Sequence, residues 1–179
     1  MKTTIAIFIV ALVSQVTFGQ SVFDKYENQR DVNSLVVTKS MFRLMSKIDL
    51  SSNDPEAKNY LKMVENLDNI RIFRTESPTT ATEMKNTVDN YLKSSSALSE
   101  LMRVNEDGKN IRFYIKEGKN ENFVSELFMF LEDPNSKDSK AVIMSITGNI
   151  DLRQISQLTS DLNVPGSDKL KDIDKKKNK

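Results

Sequence analysis

The sequence predicts an α+β domain, a mainly antiparallel sheet of five to six strands with helices packed on one face. Three observations carry that expectation. Short runs alternate apolar and polar residues with period two, longer segments repeat apolar residues at helical spacing, and "EDGK" (106–109) separates two of the alternating runs like a tight hairpin turn.

The chain opens on "MKTTIAIFIVALVSQVTFG". Lys2 supplies a positive start, Ile5 to Val13 form an apolar run, and Thr17 and Gly19 stand at the −3 and −1 positions of a small-residue cleavage site. The run is too short for a membrane-spanning helix, which needs about 20 apolar residues. Residues 1–19 are therefore expected to be a cleavable signal peptide, with one α+β domain over 20–165 and a charged tail of disordered composition over 166–179. The mature form is expected to have no transmembrane span.

"SLVVT" (34–38) reads as a short strand. A helix from Ser40 to Ile48 follows, with Ser40 as its N-cap and Met41, Leu44, Met45 and Ile48 on one face. A second helix runs from Pro55 to Leu67 and turns Ala57, Tyr60, Leu61, Val64 and Leu67 inward. Pro55 suits its first position, where the amide that proline lacks has no partner anyway. "NIRIFR" (69–74) is a strand, and a third helix extends from Ala81 to near Lys93 with Ala81, Met84, Val88, Tyr91 and Leu92 inward. Thr80 and Glu83 have the spacing of a reciprocal capping box at its start.

The second half reads as a four-strand meander. "ELMRV" (100–104) and "NIRFYI" (110–115) flank the hairpin turn, with Ile111, Phe113 and Ile115 on one face and Arg112 and Tyr114 on the other. "NFVSELFMFLED" (122–133) is apolar on both faces and belongs at the centre of the sheet. "KAVIMSIT" (140–147) completes the meander. Gly148 then looks like a joint from sheet to a last helix, Leu152 to near Leu162. Asp151 would be its N-cap and Gln154 the third residue, completing a second capping box, with Ile150 and Ile155 as a hydrophobic staple.

Composition excludes more chemistry than it suggests. The chain has no histidine, the commonest general base near neutral pH and the commonest metal ligand. It has no cysteine either, which removes disulfides, thiol nucleophiles and the usual zinc sites. The five glycines are dispersed and form no phosphate loop. Basic and acidic residues number 26 and 25, too balanced to steer the chain toward nucleic acid. No catalytic or cofactor-binding residue is identified. Asp161, Asn163 and Asp172, with Gly166, occupy positions 1, 3, 12 and 6 of a calcium-loop pattern. Pro165 at position 5 and a short aspartate at position 12 spoil that ligand set, and a helix stop explains the same residues. Met41, Met45, Met84, Met102, Met129 and Met144 fit apolar periods and read as core filling.

Two stretches together, "VFDKYENQRDVNSLVVTKSMFRLMSKID" and "AVIMSITGNIDLRQISQLTSDL", resemble the exported bacterial family known as domain of unknown function 4252. Many members of that family look like envelope lipoproteins of Gram-negative bacteria. This chain lacks the lipid-bearing cysteine, which points to a soluble periplasmic or secreted form. No catalytic or ligand residues are established for that family, so the resemblance carries none over.

The reading that follows is an exported, non-enzymatic envelope protein that binds an envelope partner. The alternatives are a carrier of a small apolar ligand and a hydrolase working without histidine.

Overall fold

The computed structural model describes residues 21–47, 61–120, 122–138 and 140–151. The expected signal peptide, Ile48, the first half of the expected second helix, the expected last helix and the charged tail lie outside the described residues.

Six strands form one sheet: β1 (Asn33–Thr38), β2 (Leu67–Thr75), β3 (Leu98–Glu106), β4 (Lys109–Glu117), β5 (Phe123–Glu132) and β6 (Ala141–Asp151). Their order is β1-β2-β6-β5-β4-β3, and every neighbouring pair is antiparallel. The predicted meander is β3 to β6, and β2 adds to it along β6. Asp107 and Gly108 turn the β3–β4 hairpin at φ 51° and 82°, the two positive values that a two-residue loop of this kind requires. Helix α1 (Lys39–Ser46) follows β1, residues 61–65 form the helical turn α2, and α3 (Pro78–Ser94) links β2 to β3. A 3-10 turn, Asp24–Tyr26, precedes β1.

Strand β5 explains the layering. Leu127, Met129 and Leu131 project to one face and Phe128 and Phe130 to the other, and all five are buried. A strand that is apolar on both sides needs a cover on both. Phe42 and Met45 of α1 and Met63 and Val64 of α2 pack on the first face. Met84 and Val88 of α3, with Phe23 and Tyr26, pack on the second. The helices therefore divide between the two faces, which corrects the expectation that they share one. Rings fill the α3 side: Phe23 stacks on Phe128 at 5.4 Å and meets Tyr91 edge-on at 5.0 Å.

Several local expectations are also corrected. Helix α1 begins at Lys39 after Thr38, so Ser40 lies inside it and is not the cap. Its buried side chain is Phe42, while Met41 and Leu44 are 49% and 60% exposed. Met41 is thus no core methionine. Leu67 does not end a helix but opens β2, fully buried.

Helix α3 starts a turn earlier than predicted. Ser77 is the N-cap, accepting the Thr80 amide at 3.3 Å, and Pro78 occupies the first turn. Its predicted inward residues hold: Met84 and Val88 are buried, and Ala81, Tyr91 and Leu92 pack against the same cluster. Gly148 is not a joint, because β6 runs on through it to Asp151. At φ +142° its α-carbon lies so near the start of β2 that a Cβ would come within 2.5 Å of the Asn66 carbonyl oxygen and 2.7 Å of the Leu67 Cα. Only glycine fits there.

Candidate functional site

The two edges of the sheet differ in chemistry. Strand β3 carries Glu100, Arg103 and Glu106 and a register break between Glu100 and Met102. Charges and a bulge are the usual means by which an edge avoids pairing with other strands. Strand β1, "NSLVVT", has no charge, no proline and no register break along β2. Leu35 at its middle is 45% exposed although it stands opposite Ile72, which is partly buried against the core.

Helix α1 continues that surface. At 100° per residue, its apolar arc runs from Phe42 through Met45 and Met41 to Leu44, wider than the sheet can cover. The large exposed apolar side chains among the described residues are Val22, next to Phe23 on the α3 face, Leu35 on β1, and Met41 and Leu44 on the helix that follows β1. Scattered apolar residues on a surface mean little, whereas apolar residues grouped at a strand edge without charge, proline or bulge call for an explanation.

A polar group lies on the α3 face of the sheet. Glu126 interrupts the apolar run of β5, and its carboxylate accepts the Tyr91 hydroxyl at 2.9 and 3.0 Å and the Ser145 hydroxyl at 3.2 Å. Burial, and then the charge of Glu126, push the Tyr91 hydroxyl well above its ordinary value, so it stays a proton donor. Along the sheet, Arg71 stands opposite Ser145 and pairs with Asp24 at 2.7 Å. With the carboxylate shared between two hydroxyls, this group ties α3 to the sheet. The polar interruption at 126 was its one signal in the sequence.

The predicted capping residues have other duties. The Thr80 hydroxyl donates to Asp31 at 2.7 Å, which lowers the pKa of that carboxyl. The Thr75 hydroxyl donates to the Asp31 carbonyl at 2.7 Å, so the β2–α3 connection is fastened to the segment before β1. Glu83 pairs with Lys25 at 2.8 Å and does not close a box with Thr80. Asp151 ends β6 opposite Phe123, whereas Gln154 lies outside the described residues. The calcium-pattern residues Asp161, Asn163 and Asp172 also lie outside them.

A surface cleft of about 290 Å³ sits where α3 begins, its lining including the apolar Pro78, Ala81, Pro134 and Ala141 and the charged Lys85 and Lys140. The Lys140 ammonium is already held by the Pro134 and Ser136 carbonyls, both at 2.8 Å. Among the described residues no cluster of three or more acidic side chains is placed to hold a metal ion.

The model of one protein family, described as a domain of unknown function (DUF4252), matches residues 26–158. The chain belongs to the DUF4252 family. The match takes in all six strands and α1 and α3, so this DUF4252 domain is the sheet with its covers on both faces. No curated protein and no solved structure matches the chain.

Proposed function

We propose that this DUF4252 protein is an exported, non-enzymatic binding domain of the Gram-negative envelope. Its contact surface is the β1 edge together with the outer arc of α1. The observation that carries the reading is the exposure of Leu35, Met41 and Leu44 on and after an edge strand with no charge, no proline and no register break. The lack of histidine and cysteine supports a role without chemistry of its own. The N-terminal segment, with Lys2 ahead of an apolar run and Thr17 and Gly19 behind it, supports export. Among the described residues no helix is long and apolar enough to cross a membrane.

The test is crosslinking in cells with the tagged protein and with Leu44→Glu, followed by mass spectrometry of what co-purifies. An envelope component recovered with the parent and lost with the variant supports the reading. Equal recovery from both, at equal stability, contradicts it. An intact mass that still included residues 1–19 would contradict export with cleavage.

The cleft beside Pro78 favours a second reading, carriage of a small apolar ligand. Its volume of about 290 Å³ is at the low end for a ligand site, and the rings between α3 and the sheet leave that layer filled.

A further inference from the structure

We propose that the partner at the β1 edge is a second copy of this chain. Two β1 strands pair antiparallel about a two-fold axis normal to the sheet, joining two six-stranded sheets into one. The inference rests on the reading of β1 and α1 as a contact surface and names what occupies it.

The register follows from the strand. Side chains alternate between faces, and residues directly opposed in an antiparallel pair share a face. A two-fold axis therefore passes through a residue and not between two. Placed at Leu35, it sets Leu35 against its twin, Ser34 against Val36 and Asn33 against Val37. The exposed leucine is then covered by its own copy, on the face where Val37 and Ile72 already pack against the core.

Charge supports the same register. The strand is neutral from Asn33 to Thr38, so no like charges meet across the joint. Beyond its ends stand Asp31 and Lys39, four residues to either side of Leu35. Antiparallel pairing carries Asp31 of each copy toward Lys39 of the other, twice in the dimer. Asp31 is exposed, with its carboxylate held on its own chain by the Thr80 hydroxyl and by Ser77. Lys39 is 52% exposed and already paired with Asp68, so in the dimer its ammonium would be shared between Asp68 and the Asp31 of the other copy. Moving the axis by one residue to Val36 sets Lys39 against the uncharged Asn33 and leaves Leu35 against Val37. Strand β3 has no such self-complementarity: at the axis position Met102, Glu100 and Val104 are opposed, and the bulge falls in the pairing.

The test uses sedimentation velocity of the purified protein across a concentration series, with two variants at the axis and one on the far edge. The parent is expected to shift from monomer to dimer as concentration rises. Leu35→Lys places two ammonium groups face to face and should weaken the dimer by about a hundredfold or more, while Ser99→Lys on β3 leaves it unchanged. Because the chain has no cysteine, Leu35→Cys introduces a single thiol, and mild oxidation should give a covalent dimer.

A parent that stays monomeric throughout, or a dimer that survives Leu35→Lys, overturns the proposal. Loss of Leu35→Cys crosslinking while Val36→Cys crosslinks overturns the register. If the parent is monomeric yet loses an envelope component on Leu44→Glu, the contact surface stands and the second copy does not. If neither effect is seen, both fall.

Discussion

Replacing Gly148 with alanine tests how tightly the start of β2 is locked against β6. The three atoms nearest the added Cβ would all be backbone, the Asn66 oxygen at 2.5 Å, the Leu67 Cα at 2.7 Å and the Asp68 nitrogen at 2.9 Å. Backbone cannot swing aside as a side-chain tip can, so the register break between Leu67 and Asn69 must shift. Overpacking of this kind costs about 1–3 kcal/mol, and an L-residue at φ +142° adds roughly 1–3 kcal/mol of strain. The sum, centred near 4 kcal/mol, is a large share of the ~5–15 kcal/mol that a domain has. With a urea dependence of about 2 kcal/mol per molar, the unfolding midpoint should fall by about 2 M. Gly108→Ala is the control. There the Cβ meets only the Asn135 side-chain amide at 2.9 Å, and the left-handed conformation costs about 1–2 kcal/mol. A Gly148→Ala midpoint within about 0.3 M of the parent would refute the reasoning, as would a larger loss at Gly108.

Three further predictions follow from the same contacts. Ser77→Ala should lose about 1 kcal/mol as the true cap of α3, whereas Glu83→Ala, in an exposed ion pair, should lose a few tenths at most; chemical denaturation ranks them. Phe128→Ala should cost about 3–5 kcal/mol by opening a cavity among rings, while Leu44→Ala stays within about 0.5 kcal/mol because its site is exposed. Tyr91 holds its proton more tightly folded than unfolded, so its contribution is complete below pH 10 and is lost as pH rises beyond it. That loss has a slope of at most about 1.4 kcal/mol per pH unit, and thermal melts of Tyr91→Phe should lack it.

Much of the sheet was legible because its cause is local. Short strand-like runs marked all six strands of the sheet, by alternation in β4 and by an apolar run on both faces in β5, which also marked it as central. What the sequence did not show was the division of helices between faces, since helical period says that a face is buried and not against which side. In α1 the apolar residues span more than one face, so the spacing alone favoured Met41 and Leu44 over Phe42. At α3 the S-P-T-T run holds two caps, and Pro78 at the first position decides for Ser77. Gly148 was misread because a glycine before a helical pattern resembles a turn. The closeness of Asn66 and Leu67 that requires it belongs to a strand some eighty residues away. The proposed contact surface was hidden for a related reason: the charge-free run of β1 is visible in the sequence, but that β1 lies at an edge is not.

The most direct test of that surface is a photo-crosslinking residue placed at Met41 in the intact protein in cells, with the same probe at Arg103 on the opposite edge. Adducts of one or two defined masses at Met41, and none at Arg103, are what the account predicts. Adducts at Arg103 alone, or at neither position, would contradict it.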